Sequence, residues 1–183
     1  MDVFVTEQGC SAEEEIDAED AICWHWVLYA HSANGKNDEV PMATIRLVPA
    51  STHDHGHDVV HGAEPVTDEG GQGAKMPTEP NYGKSDGMWD GKERYAKIGR
   101  LATRKEFRGR GLGKELVQRA LIWAREHRTE VGKGQEWGGL ILAHAQTAVE
   151  QWYSALGWVR DKGMGLWWEE GIEHVGMWRR VDL

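Results

Sequence analysis

Between a strand-like run and a long amphipathic run sits Arg108-Gly109-Arg110-Gly111-Leu112-Gly113, and this junction constrains the chain more than any other segment. Glycines let the backbone turn tightly and let a ligand approach it closely. The first N–H groups of a helix have no partner inside the helix, so they point outward and bind anions. Arg108, Arg110 and Lys114 add positive charge. A strand, such a loop and a helix together make a pyrophosphate cradle. Its spacing excludes two common owners. A nucleotide P-loop needs G-x-x-x-x-G-K-[ST], but Arg108 stands at its first glycine and Glu115 at its hydroxyl. A dinucleotide fingerprint needs G-x-G-x-x-G, whereas Lys114 occupies the place of the third glycine.

The flanking patterns predict an α/β fold. Residues 22–31 are aromatic and β-branched and read as a strand. The Asn34-Gly35 turn signal then predicts a hairpin whose second strand spans 39–49, with Met42, Thr44 and Arg46 alternating against Ala43, Ile45 and Leu47. Residues 94–103 predict a further strand. In 110–127, Gly113, Leu116, Val117, Ala120, Leu121 and Ala124 recur at helical spacing. Residues 139–145 read as a buried strand. A short helix follows, for which Thr147 and Glu150 have capping-box spacing and Gly157 supplies the stop. The tail, 158–181, predicts two strands around a turn at Gly171. Residues 1–20 read as the end of a helix followed by a polar connection.

At 183 residues the chain has the length of one domain, and one domain over 1–183 is expected, with a polar insertion at about 50–93. A net charge of −9 argues against nucleic acid as a partner, because such binding depends on neutralising phosphates. Two cysteines, Cys10 and Cys23, make no disulfide framework. No run reaches the roughly 18 apolar residues of a membrane span, and the acidic N-terminus is unlike a secretion signal. A cytoplasmic protein with no membrane partner is the expectation.

Residues 100–113 resemble the acyl-CoA signature of the GNAT superfamily of N-acetyltransferases. Arg108, Gly111 and Gly113 match its R/Q-x-x-G-x-G/A motif, and Ile98-Gly99-Arg100-Leu101-Ala102 resembles its central strand. Gln146, Tyr153, Gly157 and Trp158 occupy places where the family often has an Asn, a Tyr seven residues on, and a Gly-aromatic pair. Gly171, Ile172, His174 and Met177 resemble its closing hairpin, and Val3-Phe4 with Glu7-Gln8 the end of its first helix. The resemblance implies a mixed, mostly antiparallel sheet with a splayed central strand pair and flanking helices. The family's first strand has no counterpart here, which makes an intermolecular sheet contact, and so a homodimer, an expectation to test.

The implied cofactor is acetyl-CoA, used as co-substrate. Its diphosphate would lie on Arg108, Gly109, Arg110, Gly111, Leu112, Gly113 and Lys114, and its pantetheine arm along Leu101, Ala102 and Thr103, with Gln146 and Tyr153 also in contact. The implied reaction is direct attack of a primary amine, small-molecule or protein-borne, on the thioester. By family position Tyr153 is the candidate acid for the departing thiolate, and Glu7 and His174 are candidate bases. Trp24, Trp26, Trp167 and Trp168 are candidates to line an aromatic pocket, although strand aromatics usually pack in a core.

The insertion carries His53, His55, His57 and His61 with Asp54 and Asp58, a set with metal-ligand chemistry but no C-x-x-C partner. Its composition reads as solvated chain, and its place between two strands suggests a lid over the amine pocket. Two other functions stay open on sequence alone. One is a non-catalytic coenzyme A-binding sensor; the other is a metal-binding interaction protein centred on residues 53–61.

Overall fold

Three antiparallel strands and one long helix build the first of two units into which the chain divides (residues 1–51, 94–141 and 180–183). The structure is a computed structural model, and it describes residues 2–13, 16–31, 39–52 and 76–183. Seven strands belong to one open sheet in a mixed α/β fold. Strand β1 (Trp24–His31) pairs antiparallel with β2 (Glu39–Ser51), and β2 with β3 (Tyr95–Thr103). The predicted hairpin is therefore present in its strands, while its Asn34-Gly35 turn lies outside the described residues.

Alternation along β2 works as the sequence suggests. Ala43, Ile45 and Leu47 are buried, and helix α1 (Leu112–Glu126) buries Leu116, Val117, Ala120, Leu121 and Ala124 in the same unit. Burying five such side chains stabilises the unit by several kcal/mol, at about 25 cal/mol per Å². Arg46 is buried as well, which alternation does not explain. Its guanidinium donates to Asp17 at 2.8 Å and Asp20 at 2.9 Å, and Asp17 caps the short turn Ala18–Ala21 in a capping box with Asp20. A charge is tolerated there because these two carboxylates pair with it, although its buried Nε makes no hydrogen bond among the described residues. The N-terminal stretch Asp2–Glu7 is a single wide helical segment, as the helix-end expectation requires. A short helix, α2 (Arg128–Val131), follows α1.

Strand β4 (Leu140–Gln146) begins in this unit and ends in the second, which comprises 52–93 and 142–179. After β4 a tight turn, Thr147–Val149, leads into α3 (Glu150–Ala155). The expected capping box is not formed. Thr147 makes no side-chain cap, and the Glu150 carboxylate instead takes Arg160 at 3.0 Å, an ion pair that the local sequence gives no sign of. Gly157, at φ +83°, ends the helix as expected. The tail has three strands rather than two. Strand β5 (Val159–Asp161) and β6 (Trp167–Glu169) both pair antiparallel with β7 (Ile172–Arg180), and Glu170-Gly171 makes the β6–β7 turn.

The end of the insertion is folded, against the solvated reading. Asp161 is wholly buried and accepts from the Ser85 hydroxyl, the Asp86 and Met164 amides and the Trp178 indole N–H. Burial would raise its pKa, but these donors hold it below the ordinary carboxylate value. Gly163 lies so close to the Lys84 carbonyl that no side chain fits there. Residues 77–89 thus dock through that buried carboxylate together with backbone bonds from Asn81 to Met164 and from Trp168 to Pro77 and the stacking of Trp89 on Trp178. His53, His55, His57 and His61 lie outside the described residues.

Candidate functional site

The phosphate-loop candidates all belong to the first unit. Strand β3 is irregular just before the loop: the register steps from Arg46 opposite Gly99 to Thr44 opposite Ala102, so Arg100 and Leu101 face one residue, Ile45. Arg100 sits at φ +50°, a conformation uncommon outside glycine and concentrated at functional sites. Its side chain reaches Asp17 at 3.3 Å, tying the bulge to the capped turn.

After Thr103 the chain makes one tight turn, Lys105–Phe107, and enters the junction. Gly109 and Gly111 take φ +75° and +79°, left-handed values that other residues adopt only at a cost of roughly 1–2 kcal/mol. Nothing lies within 4 Å of where a Cβ would sit on either, so the requirement is conformational and the space above them is open. Gly111 is the N-cap of α1 and brings no side chain to it. The amides of Leu112, Gly113 and Lys114 therefore keep the anion-binding capacity of an uncapped helix start.

The arginines have a role the motif does not announce. Arg108 donates from Nε to the Thr103 carbonyl at 2.9 Å and pairs with Glu7 at 2.7 Å. Arg110 lies over the Phe107 ring, 5.4 Å from its centroid, and donates to the Glu106 carbonyl. Both brace the loop while remaining exposed; Lys114 is exposed on the first turn. Glu7, a candidate base from the sequence, is thus engaged with the loop arginine.

Tyr153, Gln146 and His174 belong to the second unit. Tyr153 is 6% exposed, with Trp152 and Trp158 edge-on to it at 5.0 and 5.5 Å. Burial pushes its pKa upward, so the phenol holds its proton throughout the neutral range. Among the described residues its hydroxyl has no hydrogen-bond partner. Trp167 is fully buried in this unit, whereas Trp24 and Trp26 pack on Trp123 of α1 in the first.

A cluster that the sequence signals only weakly surrounds Glu169. His144 Nδ1 lies 2.8 Å from Glu169 Oε1, and Tyr82 Oη lies 3.0 Å from His144 Nε2. The Trp167 indole N–H donates to the same carboxylate, and His174 Nε2 is 3.9 Å from it. Burial alone would raise the Glu169 pKa; the His144 charge and hydrogen bond, His174 and the Trp167 donor outweigh it and bring it to about 2. His174 donates from Nδ1 to the Ile172 carbonyl at 2.8 Å, and burial holds its pKa below the usual histidine value. The residues converge from a turn at Tyr82–Lys84, β4, β6 and β7. One weak signal existed: His144 and Gln146 are the part-exposed positions of an otherwise buried strand, two residues apart and so on one face.

Residues 77–137 match the model of the acetyltransferase (GNAT) family. No curated protein matches the chain. Among solved structures, a Lactobacillus plantarum protein assigned as an N-acetyltransferase aligns with 98% of this chain and 84% of its own, at 24% identity and a TM-score of 0.58. An acyl-CoA N-acyltransferase from Pseudomonas aeruginosa aligns with 97% of this chain and 83% of its own (22% identity, TM-score 0.54). Escherichia coli ElaA does so over 97% and 82% (21% identity, TM-score 0.54). Likenesses at this identity establish the fold. Among the described residues no helix is long and apolar enough to cross a membrane, and no group of three or more metal-ligand side chains is found.

Proposed function

We propose that the chain is an acyltransferase of the GNAT family, and that it moves an acetyl group from acetyl-CoA to a primary amine by direct attack in a ternary complex. The observation carrying this reading is the left-handed Gly109–Gly111 junction that enters α1 without a side-chain cap. Its open space and its amides fit a diphosphate. Two further proteins of this fold have been solved with CoA or acetyl-CoA bound, which supports the same co-substrate here.

In this reading the amides of Leu112, Gly113 and Lys114 hold the diphosphate, and Arg108 keeps the loop in shape through Thr103 and Glu7. Bound acetyl-CoA supplies the electrophilic thioester carbonyl. The amine, once neutral, forms the new C–N bond as the C–S bond breaks, and much of the rate comes from holding both reactants together. The Tyr153 phenol passes its proton to the leaving sulfur, and the amine's proton goes to a base. The acceptor is a small amine or a protein amino group.

Calorimetry with acetyl-CoA, followed by thiol release with spermidine, glucosamine and a short peptide amino terminus, tests this reading. Binding with amine-dependent thiol release is the expected result. Binding without release from any acceptor would point to a coenzyme A sensor, and no binding would overturn the proposal.

A further inference from the structure

We propose that His144 is the group that takes the proton from the acceptor amine, by way of the Tyr82 hydroxyl, with Glu169 as the residue that positions it. The inference rests on the acetyl-transfer reading above and adds its missing base.

The hydrogen-bond directions are fixed by chemistry. An ionised carboxylate only accepts, so the proton on the His144 ring is on Nδ1, facing Glu169 at 2.8 Å. That leaves Nε2 as an acceptor, and the Tyr82 phenol donates to it at 3.0 Å. The chain of bonds therefore runs one way: phenol O–H to Nε2, Nδ1–H to carboxylate. A proton given by an ammonium to the Tyr82 oxygen moves the phenolic proton onto Nε2. The amine becomes neutral, the phenol is restored, and the imidazolium is stabilised by Glu169. No oxidant or further reactant is needed.

Three features distinguish this group from a satisfied core cluster. His144 is part-exposed on a strand whose neighbours are buried, so its ring is not sealed in. It shares a strand face with Gln146, and the helix bearing Tyr153 follows directly, so it stands in the segment already assigned to the reaction. The carboxylate is taken by His144 and the Trp167 indole, whereas the basic nitrogen of the imidazole contacts only the Tyr82 phenol, through which a proton can reach it. Tyr82, Glu169 and His174 are the titratable groups that face the cluster from the other elements among the described residues. His174 has its own Nδ1 bond to Ile172 and backs the carboxylate.

The test is the pH dependence of kcat/KM for the first of the three amines above that turns over, with acetyl-CoA affinity measured beside it. The natural protein should lose rate on the acid side as one group becomes protonated. His144→Gln should lower kcat/KM by about 10²-fold or more and abolish that limb, with acetyl-CoA affinity unchanged. Glu169→Gln should move the limb to lower pH, because the imidazolium loses its counter-charge; a merely structural carboxylate would lower the rate without moving it. Tyr82→Phe should lower the rate and keep the limb. Nitrogen-15 spectra of the natural protein should show the His144 proton on Nδ1, a readout that needs no variant. A His144→Gln enzyme within twofold of the natural rate, an unmoved limb in Glu169→Gln, or a proton on Nε2 would each overturn the inference. A natural protein that binds no acetyl-CoA would instead remove the function it rests on.

Discussion

The phosphate loop and the His144–Glu169 cluster solve opposite problems. The loop is made from backbone: six consecutive residues, two of them in left-handed conformations, present amides that any helix start possesses. The cluster is made from side chains that are 62 and 25 residues apart from His144 and meet only when four elements are in place. A backbone site is contiguous and leaves a spelling. A side-chain site leaves none, because each of its members is ordinary in its own neighbourhood. The arginines of the loop show a middle case, since Arg108 is legible as a positive charge yet acts as a brace between Thr103 and Glu7.

The largest expected effect strikes the framework of the second unit. Asp161→Ala removes the acceptor of four donors, the Met164 amide and the Trp178 indole buried among them, and should cost about 3–5 kcal/mol in urea unfolding. A loss below about 1 kcal/mol would mean that residues 77–89 are not held by that carboxylate.

Acid sensitivity tests the cluster next. Glu169 falls from an ordinary 4.5 to about 2, so its stabilising contribution is complete above pH 4.5 and disappears as pH falls toward 2. The contribution amounts to roughly 3 kcal/mol. Stability of Glu169→Gln should depend less on pH across that window; an identical slope would show that Glu169 is not the residue being protonated.

A smaller effect separates the loop from the cluster. Gly111→Val places a β-branched residue at φ +79°, at a cost of roughly 1–2 kcal/mol. Acetyl-CoA affinity should fall about tenfold or more while the acid limb of the pH profile stays where it is. Unchanged affinity would detach the junction from the diphosphate. Tyr153→Phe makes the converse cut: turnover should drop about tenfold or more with acetyl-CoA affinity near normal, as expected for a proton donor without a ground-state partner. Equal turnover would leave Tyr153 as core packing between two tryptophans.

The smallest effect belongs to Glu7. Its pair with Arg108 is exposed, and Glu7→Gln should shift stability by about 1 kcal/mol or less, read as a small change in Tm. A large loss would show that the wide turn Asp2–Glu7 depends on the loop.

Much of the fold was legible because short-range rules govern it. The strand runs at 22–31, 39–49, 94–103 and 139–145 and the helix at 110–127 reappear within a few residues of their expected ends. The failures share one cause. Thr147 and Glu150 have capping-box spacing, but Glu150 found Arg160, which arrives from another strand. Residues 77–89 read as solvated because their few apolar side chains lack periodicity; most of these residues are indeed exposed, and what anchors them is distant in sequence, with Asp161 holding Ser85 and Asp86 and Trp178 stacking on Trp89.

From its residues alone this chain determined the helix with its buried stripe, the strands around it and a glycine junction suited to an anion. Those properties follow from φ preferences, spacing and unsatisfied amides, all settled within a few positions of one another. Tertiary structure alone decided the burial of Arg46 among acids, the docking of 77–89, and the meeting of Tyr82, His144 and Glu169. The reason is physical: a polar side chain leaves water only where partners are brought to it, and no local pattern records which distant partners will arrive.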